Sequence, residues 1–299
     1  MFMTKCQRIA PAVLALMVLA SCATAHEASV RKRPLVTAHR GGALLLPENT
    51  LPAMRRALEL GVDMLEFDMQ LTEDGEVIVT HDVEVNPEFC EASPESGVKP
   101  GAVPLMTLAQ LKQFDCGSRH RAIYPTQQAV PGTRMPTFAE LLEATRNGNA
   151  SFFGETKMPG ADSGIRVDPE RFVRKVDAII REYGVEDRFI LQSFDWRTLD
   201  AMHRINPRIR TCLLFPKATS RPDYLATVRE HHGGCMLMRP DFADAAEVKK
   251  LRDAGILVFS DVVDDEAGWK SYIGMGVDAV FTNDPAGLIQ YLKKSGLRD

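Results

Sequence analysis

Strand-like and helix-like segments alternate along the chain from residue 35 to residue 294, and nothing else in the sequence narrows the fold as much. Short apolar runs recur at 35–39, 63–70, 76–82, 151–157, 188–194, 210–215, 235–240, 256–262 and 278–284. Stretches with helical apolar spacing separate most of them, at 48–61, 137–147, 169–183, 196–205, 221–231, 243–254, 265–274 and 285–294. Order of this kind over about 250 residues calls for a parallel sheet, most simply an α/β fold of the TIM-type (β/α)8 barrel kind. Nine runs compete for eight places, so at least one must be peripheral or misread.

Two connections break the pattern. Between Gln70 and Glu76 there is no room for a helix. The barrel is therefore expected to lack the helix between its second and third strands. An extended run of about eight residues reaches roughly 26 Å, enough to return along the barrel. The competing reading is a plain hairpin at Asp74-Gly75 with Glu66, Asp68, Gln70 and Thr72 on its wet face. The second exception is 83–135, rich in Pro, Gly and Ser, which reads as an insertion after the third strand with a short helix at 107–115.

The first residues read as a targeting segment. Lys5 and Arg8 precede an apolar run at 9–20 that is too short to cross a bilayer core of roughly 30 Å, which describes a signal peptide over 1–21. Leu19-Ala20-Ser21-Cys22 resembles the lipobox of bacterial lipoproteins, which implies a lipid on Cys22, a linker at 22–34 and a barrel from 35 to 299. The expected location is the periplasm, anchored to a membrane through that lipid. Ordinary cleavage after Ala25 would instead leave a soluble periplasmic or secreted protein. Export gives the cysteines meaning. Cys90 and Cys116 flank a loop-like stretch and are placed to staple it, whereas Cys212 and Cys235 sit in apolar runs and read as buried thiols. A net charge of −4 with no basic stripe argues against a nucleic-acid partner.

The strand ends carry the chemistry. The first run ends in His39-Arg40-Gly41-Gly42, the second holds Glu66 and Asp68, and the third ends in His81-Asp82. The fourth ends in Glu155-Thr156-Lys157 and the fifth in Gln192-Ser193-Phe194. A parallel barrel gathers these ends on one face, where its active sites lie. Glu66, Asp68 and Glu155 would repel one another unless a cation joined them, and oxygen-only ligands suit Ca²⁺ or Mg²⁺. Arg40 and Lys157 add the positive charge of an anion site, with phosphate the natural ligand. His39 and His81 supply two groups of the kind that general acid/base work requires.

These residues resemble a known family. The motifs His39-Arg40-Gly41, Pro47-Glu48-Asn49-Thr50, Glu66-x-Asp68 and His81-Asp82, with "GETK", "QSFD" and "GVDAVFTNDP" further on, are similar to those of the glycerophosphodiester phosphodiesterases across 35–292. The resemblance implies a TIM-type barrel with an insertion where this chain has 83–135. It implies Glu66, Asp68 and Glu155 as ligands of a divalent metal, His39 and His81 as the acid/base pair, and Arg40 and Lys157 on the phosphate. The implied reaction is hydrolysis of a small-molecule glycerophosphodiester to sn-glycerol 3-phosphate and an alcohol. A related reading keeps the site and acts on membrane lysophospholipids, as a lysophospholipase D does. Glu48 and Asn49 would lie beside the site without direct chemistry.

The chain departs from the family near its last strands. "FSDVVDD" at 259–265 stands where relatives often carry Trp-Thr-Val-Asn. An aromatic pocket wall would then have to come from Phe194, Phe215 or Phe281, each of which also suits a core. Asp82 is read as either a support for His81 or a turn residue. Gln192 is read as a substrate contact or as a partner for backbone groups. Ser193 has no base beside it, and His120, His203, His231 and His232 read as solvated.

Overall fold

A computed structural model describes residues 33–119 and 121–299. The expected signal peptide, Cys22, most of the linker and His120 lie outside the described residues. No described helix is long and apolar enough to cross a membrane.

All nine apolar runs form strands: β1 (Leu35–Ala38), β2 (Met64–Leu71), β3 (Val77–Val79), β6 (Ser151–Thr156), β7 (Phe189–Ser193), β8 (Arg210–Leu213), β9 (Cys235–Met238), β10 (Leu257–Val262) and β11 (Ala279–Thr282). Two short strands, β4 (Glu91–Ala92) and β5 (Phe114–Asp115), pair within the insertion. Eight strands close a parallel barrel in the order β1-β2-β6-β7-β8-β9-β10-β11, with β11 returning to β1. The helices are α1 (Leu51–Leu60), α2 (Leu108–Leu111), α3 (Phe138–Thr145), α4 (Pro169–Tyr183), α5 (Trp196–Ile205), α6 (Tyr224–Glu230), α7 (Ala245–Asp253), α8 (Glu266–Met275) and α9 (Pro285–Lys294). They start where the sequence supplies caps. Thr50, Thr137, Asp168, Asp195 and Asp284 each accept a backbone N–H from the first turn of the helix that follows.

The ninth run is the exception, and it changes one expectation. β3 is antiparallel to β2, with Met69 opposite Val79 and Leu71 opposite Val77. It is the returning arm of a hairpin, so no helix is missing between two parallel strands. The barrel neighbour of β2 is β6. The turn accommodates this. Gly75 has φ 83°, and the backbone N–H of Thr72 closes on the carbonyl of Glu76 at 2.9 Å. Yet the hairpin has no wet face, since Glu66, Asp68, Gln70 and Thr72 are all buried.

Residues 83–135 pack around a small core of their own that includes Val85, Phe89, Val103, Leu111 and Phe114. Cys90 and Cys116 form a disulfide, while Cys212 and Cys235 are buried free thiols. Asp115 closes the far end of this segment. Its carboxylate accepts from the backbone N–H groups of Gly117 (2.8 Å), Ser118 (3.1 Å) and Gly132 (2.7 Å) and from the Ser118 hydroxyl (2.6 Å). Partial burial works against the charged form, but these donors outweigh it and lower the pKa from its ordinary 3.8. The folded state therefore binds this proton less readily than the unfolded chain. The stability gained is present above pH 3.8 and lost as the pH falls below it. Asp115→Ala is expected to cost about 1 to 2 kcal/mol, limited by solvent screening, and to show as a lower urea midpoint at pH 7.

Candidate active site

Side chains alternate along a strand, so Met64, Glu66 and Asp68 share the face of β2 that looks into the barrel. Phe153 and Glu155 occupy that face on β6, and Ile190 and Gln192 on β7. Met64, Phe153 and Ile190 join Cys212, Cys235, Phe259 and Phe281 in an apolar plug. The polar layer sits on the C-terminal side of this plug. Register sets Asp68 beside Glu155, and Glu155 beside Gln192.

Carboxylate oxygens of Glu66, Asp68 and Glu155 lie within 4.8 Å of one another. Burial and the Asp68 charge push Glu66 well above the usual carboxylate range. Glu155 is raised to about 7 by burial, with Lys157 pulling it down and Asp68 pushing it up. Burial would raise Asp68 too, but Lys157, His81 and Arg40 hold it well below that range. The triad tests well as a cation site. It is all oxygen, and Asp68 Oδ1 is buried with no hydrogen-bond partner, its nearest cation being Lys157 Nζ at 3.4 Å. Lys157 Nζ also lies 2.7 Å from Glu155 Oε1.

The turn after β1 is bent to serve this layer. Arg40 takes φ 52°, a left-handed conformation that costs a non-glycine residue about 1 kcal/mol or more. In return its backbone N–H donates to Glu66 Oε2 at 2.7 Å. The guanidinium donates to Glu48 Oε1 at 2.8 Å, and its Nε lies 3.5 Å from Asp68 Oδ2. Gly41 follows with φ 82°, and a Cβ there would fall 2.9 Å from that of Ala53, so only glycine fits. Asn49 is paired with Asp68 twice, through Nδ2 to Oδ2 (2.8 Å) and from the Asp68 N–H to Oδ1 (3.1 Å). Glu48 and Asn49 thus hold the charged residues rather than act themselves.

The two histidines have unlike partners. His39 Nδ1 lies 2.7 Å from Asn283 Oδ1. Asn283 in turn donates its Nδ2 to Asp264 Oδ2 (2.8 Å) and its backbone N–H to Asp264 Oδ1 (2.6 Å). A carboxylate cannot donate, so the amide NH₂ must face Asp264 and the amide oxygen must face His39. The ring then carries its proton on Nδ1 and leaves Nε2 open, 4.0 Å from Glu66 Oε2. Burial, helped by the Arg40 charge, pushes the pKa of His39 down to about 3. His81 instead donates Nδ1–H to the Asp82 carboxylate at 2.7 Å. That bond is the chief reason Asp82 is lowered to about 2, and Asn86 Nδ2 adds another at 2.8 Å. His81 arrives on the hairpin's returning arm. Thr80 N–H donates to the Asp68 carbonyl at 3.0 Å, and Gln70 Nε2 reaches the carbonyl of Asp82 at 2.7 Å.

All seven expected site residues, His39, Arg40, Glu66, Asp68, His81, Glu155 and Lys157, therefore meet around one polar layer. The model of the glycerophosphoryl diester phosphodiesterase family matches residues 39–287. The chain belongs to that family. A glycerophosphodiester phosphodiesterase of Caldanaerobacter subterraneus subsp. tengcongensis is 30% identical over 266 residues, spanning 88% of this chain and 100% of its own. One from Bacillus subtilis (strain 168) is 28% identical over 260 residues, spanning 85% of this chain and 84% of its own. A solved structure from Silicibacter pomeroyi DSS-3 matches with a TM-score of 0.80 at 25% identity, covering 90% of this chain and 97% of that one.

In this phosphodiesterase-family chain, Asn283 and Asp264 are site residues that sequence reasoning left without a role. Their signals were present: Asn283 falls in the "FTNDP" motif, and Asp264 in the stretch that lacks the family's Trp. Gln192 Nε2 donates to Glu66 Oε1 at 2.9 Å rather than to a backbone group, and its Oε1 is buried without a hydrogen-bond partner. Arg121, from the insertion, donates to both oxygens of Glu48 (3.3 and 3.4 Å) and lies 3.9 Å from Asp82 Oδ2. Phe194 is exposed, whereas Phe215 and Phe281 are core.

Proposed function

We propose that the chain hydrolyses glycerophosphodiesters to sn-glycerol 3-phosphate and an alcohol, with His39 as general base and His81 as general acid. The observation that carries this reading is the unlike pairing of the two rings around one acidic triad flanked by Arg40 and Lys157. Glu66, Asp68 and Glu155 would hold one divalent cation, Ca²⁺ or Mg²⁺. Once bound, that cation would supply Lewis-acid stabilisation of charge on the phosphoryl oxygens. Arg40 and Lys157 orient the phosphate and offset the same charge. His39 Nε2, unprotonated and held in place by Asn283, takes the proton of the glycerol 2-hydroxyl. The freed oxygen attacks phosphorus, and His81 gives its proton to the departing alcohol. Water then opens the cyclic phosphate with the proton roles reversed, so one diester and one water give one glycerol 3-phosphate and one alcohol.

The direct test is enzymatic release of glycerol 3-phosphate from glycerophosphocholine and glycerophosphoethanolamine, with lysophosphatidylcholine as a third substrate. Turnover of either of the first two is expected. Turnover of lysophosphatidylcholine alone would favour action on membrane lysophospholipids. Release from none of them would refute the reading. Asn283→Ala frees the His39 ring to rotate and to change tautomer. It is expected to lower kcat about tenfold to a hundredfold with little change in KM. We further propose that the protein is exported and held at a membrane by a lipid on Cys22. Mass spectrometry of the mature N-terminus decides that point.

A further inference from the structure

A cleft of about 560 Å³ leads away from the triad on the Lys157 side, and none of the steps above uses it. Glu155 and Lys157 line its catalytic end, and Met158, Pro159, Phe194 and Trp196 contribute walls. Its size falls within the usual range for small-molecule sites, roughly 300 to 1,000 Å³. Phe194 is the informative residue. It follows β7, whose five residues are all buried, yet it is itself 51% exposed. Its ring lies 5.8 Å from Lys157 Nζ, so it stands directly beside the proposed phosphate contact.

Charge narrows what this cleft can hold. Three carboxylates line it, and each already has a cationic or imidazole partner. Glu155 faces Lys157 at 2.7 Å. Asp195 accepts from Arg197 Nε (2.8 Å) and Nη2 (2.5 Å). Asp200 lies 3.0 Å from His231 Nδ1. Each carboxylate is thus already engaged, and the uncommitted part of the lining is its apolar walls. The opposite side of the polar layer is different, since Glu48 there holds Arg40 and Arg121, and Asn283 bridges His39 and Asp264, so its walls are polar and charged. A diester with one polyol arm and one apolar arm matches this division.

Resting on the phosphodiesterase reading, we propose that the cleft binds the leaving alcohol and selects aliphatic or aromatic alcohols over charged ones. The decisive comparison is glycerophosphocholine against its uncharged isostere, glycerophospho-3,3-dimethylbutanol. The isostere has the same shape without the charge, and the cleft favours it in kcat/KM. Along a series of glycerophospho-n-alkanols, kcat/KM rises about fourfold for each buried methylene until the cleft is full. Phe194→Ala flattens that rise and Phe194→Leu keeps it. Ala161→Trp, which narrows the same cleft, ends the rise at a shorter chain.

Preference for choline over its isostere would overturn the proposal, as would a flat series in the unmodified protein. Chain-length dependence confined to 1-acyl substrates would overturn it too, by placing the apolar arm on the glycerol side. Calorimetric affinity for the alkyl series is the second readout and needs no turnover. Tighter binding of longer chains, weakened by Phe194→Ala, supports the cleft even if no diester is hydrolysed. Equal affinity along the series removes it, while glycerol 3-phosphate release would still stand as the separate measure of the reaction.

Discussion

His39→Ala is expected to lower kcat/KM for glycerophosphocholine by about three orders of magnitude, while circular dichroism and thermal melting stay close to those of the parent. The ring is part of the polar layer rather than the core, so its loss removes a proton acceptor without opening a large cavity. A leaving group that needs no proton separates the two histidines. With glycerophospho-p-nitrophenol, His81→Ala should recover most of its activity, because nitrophenolate departs unaided. His39→Ala should recover little, because the glycerol hydroxyl still needs a base. The opposite pattern would exchange the two roles, and full activity in both variants would remove the histidines from the mechanism.

Removal of divalent cations is expected to abolish turnover, and Ca²⁺ or Mg²⁺ to restore it. Stability supplies an independent measurement. A cation at a hundred times its Kd stabilises the fold by about 2.7 kcal/mol, or roughly 5 to 10 °C in Tm for a chain of this size. Asp68→Asn should lose that rise. The cation-free protein should also respond to pH with a definite sign. Glu155 ionises near 4.5 when unfolded but only at about 7 when folded, because burial opposes its charge. Between those values the folded state holds more protons than the unfolded one. The stability this provides is complete below pH 4.5 and lost as the pH rises through 7. A bound cation should abolish this slope. A cation-free protein that melts at the same temperature from pH 5 to pH 8 would contradict the crowding of the three acids.

Much of the fold was legible because each strand and helix announces itself locally. Every one of the nine apolar runs is a strand, and α4, α5 and α9 have the bounds that apolar spacing gives them. The direction of β3 was not legible. A tight turn between two alternating runs looks the same whether the second arm joins the barrel or folds back, and what decides it is the pairing of β2 with β6, some eighty residues away in sequence. The seven charged and imidazole residues were legible because strand ends gather on one face of a barrel. Of their supports, Asp82, Glu48 and Asn49 lie near in sequence and were placed beside the site, whereas those whose pairing crosses the fold were not legible. Asn283 is separated from His39 by 244 positions, and Arg121 from Glu48 by 73. A single sequence carries no mark of such distances. The three phenylalanines show the same limit. One is a pocket wall and two are core, and the residue type alone does not tell them apart.

Arg121 gives the disulfide a meaning beyond local stability. The cystine closes the loop of residues 90 to 116, and only five residues later the chain delivers the guanidinium that grips Glu48 and nears Asp82. One support of Arg40 and one support of the His81 ring are therefore joined to the redox state of a single sulfur pair. In a reducing cytosol the chain would keep its barrel but loosen both supports. Full competence would then follow the oxidation of that sulfur pair.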